Sequence, residues 1–323
     1  MHSDMRMAIF IVLAIIAPAC GVLADEPAAE ALYKEHCAQC HEAGIARAPT
    51  TAALKQLSPS QILVALMFGS MSAQGRDLSG PQIKSLLRYL ANAGQKPEAP
   101  LPDASCHGAV PLPQDVFAQP YWNGWGVDIS QHRFQPATMA RLSAEDVPRL
   151  KLKWAFAFPG DASAFAQPTV VGGRIFVGSA GGKVYSLDAQ TGCVRWVFDA
   201  DFEVRTAISI VTRRSGWSAL FGNVRADVFA VDAETGELLW KTHAAEHPAS
   251  IVKGAPTIVG TTLYVPLSSA EEVLAADPHY QCCTFGGGVT ALDAETGKLL
   301  WQGHAIAQAP QQVRKNKLGS GLN

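Results

Sequence analysis

The sequence has very little net charge. Its 26 Lys and Arg nearly balance 28 Asp and Glu, for a formal charge of −2. No basic excess argues for a nucleic-acid partner. Charged residues make up only 17% and hydrophobic ones 48%, which excludes a solvated disordered chain and fits a globular one. Apolar runs of membrane-spanning length, ~20 residues, are missing as well. The nearest is Met7–Ala17, short of a span, after the basic Arg6 and before Val22-Leu23-Ala24. That order is a secretory signal over residues 1–24. It predicts a periplasmic or secreted chain with no transmembrane segment once the signal is removed. Cysteine is sparse: seven residues, at 20, 37, 40, 106, 193, 282 and 283. Cys20 leaves with the signal, and an even number remains for an oxidising compartment.

The 323 residues allow roughly two domains. Residues 25–95 read as a small helical domain. It opens on Cys37-Ala38-Gln39-Cys40-His41. Two thiols at this spacing form thioethers to haem vinyl groups, and the next residue, His41, is placed to ligate the iron. A bare C-x-x-C is a redox pair or half a zinc site; the adjoining His favours haem c. The sixth ligand is expected downstream, and Met71 in Gly69-Ser70-Met71 fits. Met67 sits in the apolar stretch 62–68, where a Met more often fills core. Helices are predicted over Ser60–Met67 and over Ile83, Leu86, Leu87 and Leu90, the latter after turn and cap chemistry at Leu78-Ser79-Gly80-Pro81. His36 is expected at the surface. Cys106-His107 is no second haem site, because Asp103 stands where the first thiol is needed.

Residues 96–120 are rich in Pro and read as an extended linker. Beyond it, over 121–323, lies an internal repeat. Asp188-Ala189-Gln190-Thr191-Gly192 runs on to Trp196, and the same pattern recurs from Asp232 to Trp240 and from Asp293 to Trp301. Lys151-Leu152-Lys153-Trp154 looks like the tail of an earlier copy. Trp spacings of 42, 44 and 61, with four strand signals per unit, are those of β-propeller blades. The strands of one unit are legible near 167–171, 174–179, 182–187 and 194–198. Asp-x-x-Thr-Gly is then a tight turn and the Trp a packing residue between blades, so these residues are structural. The longest spacing holds an insertion, Ser269–Phe285, containing Cys282-Cys283. Adjacent cysteines close an unusual small ring or stay as unrelated thiols. Cys106 and Cys193 are left to pair with each other or to remain small core residues. Arg205 points to the propeller axis or is an ordinary ion-paired Arg, and Arg225 invites the same question.

The first domain resembles class I cytochromes c, in CAQCH, Gly69-x-Met71 and the helix 83–90. The blade ends resemble the pyrroloquinoline quinone (PQQ)-dependent dehydrogenases, whose propellers hold quinone and calcium on the axis. More narrowly, Tyr121-Trp122-Asn123-Gly124-Trp125-Gly126, Arg133-Phe134-Gln135-Pro136, Val204-Arg205-Thr206-Ala207 and Cys282-Cys283-Thr284-Phe285 resemble polyvinyl-alcohol dehydrogenase (cytochrome). The resemblance implies a small all-α cytochrome c domain followed by an all-β PQQ-type propeller, about half of an eight-bladed one being present. It implies Cys282 and Cys283 as a disulfide lying flat against the quinone. It also implies an alcohol or polymer substrate, and a soluble cytochrome or other periplasmic electron acceptor. Two departures matter. The family places Arg shortly after the vicinal pair, where this chain has Thr284-Phe285-Gly286-Gly287. The family's catalytic aspartate and much of its calcium and quinone shell come from later blades, so no catalytic base is assigned. A chain ending after about four blade equivalents is expected to leave an open edge strand and an uncovered face, and 311–323 shows no strand pattern. The alternative reading is an electron-transfer cytochrome whose propeller is a non-catalytic binding scaffold.

Overall fold

The computed structural model describes residues 26–315 and 321–322, apart from 46–47, 56, 58, 68–70, 92–103, 109, 129, 131, 160, 162–163 and 276–279. The expected signal, Gly69-Ser70 and the first part of the linker lie outside the described residues.

Among the described residues six helices come first: α1 (Glu26–His36), α2 (Ala38–His41), α3 (Thr51–Leu54), α4 (Pro59–Met67), α5 (Ser72–Arg76) and α6 (Gly80–Ala91). The start of α6 is a capping box. Ser79 Oγ accepts from the Gln82 amide at 3.4 Å while Gln82 Oε1 accepts from the Ser79 amide at 2.8 Å, so two donors of the first turn are satisfied reciprocally. Apolar residues at helical spacing, Ile83, Leu86 and Leu90, turn inward onto Tyr33, Ile62 and Leu66. Helix α5 crosses α4 so closely that a Cβ on Gly75 would lie 1.9 Å from the Leu66 carbonyl oxygen, which only glycine permits.

Among the described residues a short helix, α7 (Ala137–Ala140), precedes three antiparallel blade sheets, two of four strands and one of five, each with four strands pairing in sequence order. Blade 1 holds β1 (Thr169–Val171), β2 (Arg174–Gly178), β3 (Lys183–Asp188) and β4 (Val194–Asp199). Blade 2 holds β5 (Ser209–Arg213), β6 (Gly216–Gly222), β7 (Asp227–Asp232) and β8 (Leu238–His243). The two-residue β9 (Ser250–Ile251) pairs with the end of β11, and blade 3 is β10 (Thr257–Val259), β11 (Thr262–Ser269), β12 (Gly288–Asp293) and β13 (Leu299–His304), with α8 (Glu271–Leu274) inside its insertion. The final segment differs from the sequence reading: β14 (Arg314–Lys315) and β15 (Gly321–Leu322) form a two-stranded pair. Two-residue strands are too short to show a period in sequence.

The repeated motif explains how blades join. In each turn the Asp side chain accepts from the amide of the Thr three residues on: Asp188 from Thr191 at 3.0 Å, Asp232 from Thr235 at 2.9 Å, Asp293 from Thr296 at 2.8 Å. The Gly then takes a left-handed φ, and its bare Cα receives the tryptophan of the preceding blade. Trp196 lies against Gly236 and Trp240 against Gly297, and each indole N–H donates to a carbonyl of the same turn, Ala233 at 3.1 Å and Ala294 at 3.2 Å. Trp154 makes the same contact with Gly192 and Ala189, although residues 151–158 form no strand. Trp301 has no such turn against it among the described residues and is 49% exposed.

Two interblade cores fill the space behind these contacts. Phe176, Ile208 and Phe221 are buried between blades 1 and 2, and Leu220, Val252 and Leu263 between blades 2 and 3. The Pro-rich segment is not a free tether. Cys106 and Cys193 are disulfide-bonded with Cα atoms 5.0 Å apart, and Val194 exchanges amide bonds with Ala104 and Cys106. Further along, Trp122 pairs with Val170 on β1.

Two stability outcomes follow from the turns. Gly236→Ala combines a left-handed backbone with a clash on Trp196, so it should cost about 2–4 kcal/mol in chemical denaturation. Gly260→Ala has a similar φ and nothing within 4 Å, so it should cost only about 1–2 kcal/mol. Equal losses would remove the Trp–Gly contact from the account. Separately, Arg195 and the Thr191 and Gln190 donors hold the Asp188 carboxyl at about 2, below its ordinary value. A depressed folded value stabilises the fold at neutral pH, and the stability is lost as pH falls from ~4 through that value. Asp188→Asn should therefore cost about 1–2 kcal/mol at neutral pH and little near pH ~2, as read by denaturation at both pH values.

Candidate electron-transfer site

The loops at one end of the blades, between second and third strands and between successive blades, carry an apolar patch of Phe202, Val224, Ile251 and Ala270. Buried residues of α1, α4 and α6 form a single apolar cluster with it. Gly80 opens α6 against the Phe202 ring, Lys84 pairs with Asp199 and lies 3.8 Å from Asp201, and the Arg225 guanidinium sits over Phe202 and 3.8 Å from the Met67 sulfur. Arg225 is thus a junction residue. Arg205 is ion-paired with Glu203 at 2.9 Å and lies over Phe165.

Inside the helical domain, one cavity is lined by Cys37, Cys40, His41 and Met71, with Leu66, Leu86 and Leu90 forming apolar walls. His41 is buried, and its Nδ1–H donates to the Pro49 carbonyl at 2.6 Å. That bond fixes the tautomer and leaves Nε2 with its lone pair free. Both thiols are unpaired, and burial pushes Cys37 upward. Met67 does not line this cavity; it faces the junction with the blades. His36, expected at the surface, is half-buried and lines the cavity. The donor set fits haem c: two thiols at attachment spacing, a nitrogen and a thioether about one apolar space.

The second group is the insertion of blade 3. Cys282 and Cys283 are disulfide-bonded to each other, with Cys282 buried and Cys283 exposed. The Cys282 amide donates to the Gly321 carbonyl of β15 at 3.2 Å. Glu271, which no sequence motif marks, lies beneath the pair with its carboxylate 3% exposed, and His247 Nε2 is 2.8 Å from Thr284 Oγ1. No cation follows the pair, as the sequence indicates. Among the described residues no three His, Cys, Asp or Glu side chains gather as a metal site.

The PQQ_2 family, described as outer membrane protein assembly factor BamB, matches residues 132–319. The chain belongs to this PQQ-repeat propeller family. Residues 24–90 match a second family, described as cytochrome C oxidase, cbb3-type, subunit III, so the helical part is a cytochrome c-type domain and its cofactor is haem c. Polyvinylalcohol dehydrogenase of a Pseudomonas species is 37% identical over 92% of this chain and 48% of its own length. The protein of the same name from Sphingopyxis sp. (strain 113P3) is 36% identical over 93% of this chain and 48% of its own. The chain therefore spans about half the length of the curated relatives it matches. A solved quinohemoprotein alcohol dehydrogenase from Comamonas testosteroni is 22% identical, with a TM-score of 0.46, covering 57% of this chain and 27% of that one.

Spectra of single variants separate the two methionines. Met71→Ala should keep the haem covalently attached while lowering its reduction potential by on the order of 100 mV. Met67→Ala should leave the iron's spectrum unchanged, and the reverse result would exchange their roles. Cys37→Ser with Cys40→Ser should yield a pigment that acid acetone extracts.

Proposed function

We propose that this chain is the haem-bearing, N-terminal part of an exported PQQ-dependent alcohol dehydrogenase, passing electrons from a quinone held at Cys282–Cys283 to a haem held at Cys37, Cys40, His41 and Met71. The observation that carries the reading is that the insertion bearing the vicinal pair and the helical domain meet. Ala270, Leu274 and Tyr280 of the insertion and Met67, Ser72 and Arg76 of the helical domain wall one cavity of about 350 Å³. The insertion and the segment carrying Met71 therefore share an interface. Cys37 and Cys40 would anchor the haem, and His41 Nε2 and the Met71 sulfur would ligate its iron. The exposed side of Cys283 would face the quinone. When bound, the two groups supply a two-electron acceptor for a secondary alcohol or polymer and a one-electron carrier towards a soluble cytochrome or other periplasmic acceptor. The chain's own contribution is to hold both at one end of the propeller and to exclude water from the haem with Leu66, Leu86 and Leu90. No helix among the described residues is long and apolar enough to cross a membrane; the periplasm is proposed from the leader pattern.

A second reading has a specific observation in its favour. The vicinal pair is followed by Thr284-Phe285-Gly286-Gly287 and no cation, which suits an electron-transfer cytochrome with a non-catalytic propeller scaffold. Optical titration separates the two. Oxidised protein incubated with PQQ, calcium and polyvinyl alcohol should develop reduced haem bands that require both quinone and alcohol. A haem that answers only to dithionite would favour the scaffold.

A further inference from the structure

In blades 1 and 2 the second and third strands are joined by the short segments 179–182 and 223–226, whereas in blade 3 the connection runs over 270–287. The blade itself does not need this length, since β10 to β13 form the same ladder as the other two sheets. A long connection stays ordered only if something holds its base. In this loop one carboxylate gathers bonds from both sides of the disulfide. Glu271 opens α8, is 3% exposed, and accepts from the Thr284 amide at 2.9 Å, the Phe285 amide at 2.8 Å, Tyr280 Oη at 3.0 Å and Thr284 Oγ1 at 3.2 Å.

Every one of these donors flanks the disulfide: Tyr280 lies just before Cys282, and Thr284 and Phe285 follow Cys283. His247 completes the base, bonded to Thr284 and edge-on to the Phe285 ring at 5.6 Å. Tyr280 and His247 also wall the cavity shared with the helical domain. We infer that Glu271 is the positioning residue of the Cys282–Cys283 pair, its carboxylate tying the two flanks together and fixing the face that the disulfide presents to a planar cofactor. This rests on reading the pair as a quinone platform.

The charged form does the holding, because an ionised carboxylate accepts all four bonds whereas a protonated one must donate at one oxygen. Burial pulls Glu271 upward, but the amides of Thr284 and Phe285 with the Tyr280 and Thr284 hydroxyls outweigh it, leaving the group below the usual range. With a depressed folded value, the clamp is intact at neutral pH and opens only as pH falls below the ordinary carboxylate value. The titratable and charged groups facing it are His247, whose Nε2 is 3.9 Å from the carboxylate, and Arg76 across the cavity near Tyr280.

The test uses the full chain with PQQ as probe. Fluorescence quenching gives its affinity between pH ~7 and ~3, and hydrogen exchange follows the Thr284 and Phe285 amides. Glu271→Gln should weaken PQQ binding by about 10–100-fold at neutral pH, the worth of charge-assisted bonds to amides, and speed exchange at those two residues. Glu271→Asp should recover part of the loss, and the exposed neighbour Glu272→Gln should behave as wild type. Wild-type affinity should fall towards that of the Gln variant as pH drops, while the variant's own curve stays flatter over the same range. Equal binding and equal exchange in wild type and Glu271→Gln would overturn the inference and leave the platform reading standing. Wild-type protein that binds no PQQ at any pH would overturn the platform reading, and with it any service Glu271 renders to a quinone.

Discussion

The arrangement depends on one apolar contact, the seating of the helical domain on Phe202, Val224, Ile251 and Ala270. Those residues lie in the connections at one end of the blades, Ile251 in the two-residue β9, where large apolar groups are costly to leave in water. Burying a phenylalanine side chain is worth about 1.5–3 kcal/mol. The polar contacts around it, Lys84 with Asp199 and Asp201, lie near the surface and contribute ~0–1 kcal/mol each. Apolar burial therefore holds the domain, and charge pairs set its orientation. The insertion bearing Cys282–Cys283 arises from the same end of blade 3. Seating the helices there brings their cavity-lining segment and the insertion to a common wall.

That end can be elaborated because the other end is standardised. Asp-x-x-Thr-Gly turns and the tryptophans that dock on them repeat with the same bonds from blade to blade. Each blade is registered on the next through a ring, a bare Cα and one indole hydrogen bond. The disulfide Cys106–Cys193 and the bridge from Trp122 to Val170 then tie the Pro-rich segment along blade 1. The loops opposite are free to differ, as blade 3 does.

Much of this was legible in the residues. C-x-x-C-H and a downstream methionine are local patterns, and the cavity is lined by Cys37, Cys40, His41 and Met71. The strands of blade 1 fall within a residue or two of their expected bounds, because alternation and turn chemistry are local too. What escaped depends on distant partners. Nothing in the sequence marks the Pro49 carbonyl as the partner of His41. Glu271 looks like any acid near a helix start, and its role exists only because Thr284 and Phe285 fold back over it. His36 is ordinary in composition and is drawn to the cavity by α1. The docking patch is scattered over three loops and the short β9, with no period to reveal it.

The central claim is that electrons reach the haem within one chain, across the junction between insertion and helical domain. The most direct test is the rate of haem reduction in protein loaded with PQQ and mixed with excess alcohol, measured over a wide range of protein concentration. A transfer within the chain predicts a first-order rate constant independent of protein concentration. A rate that rises in proportion to protein concentration would mean electrons pass between molecules, and would contradict the account.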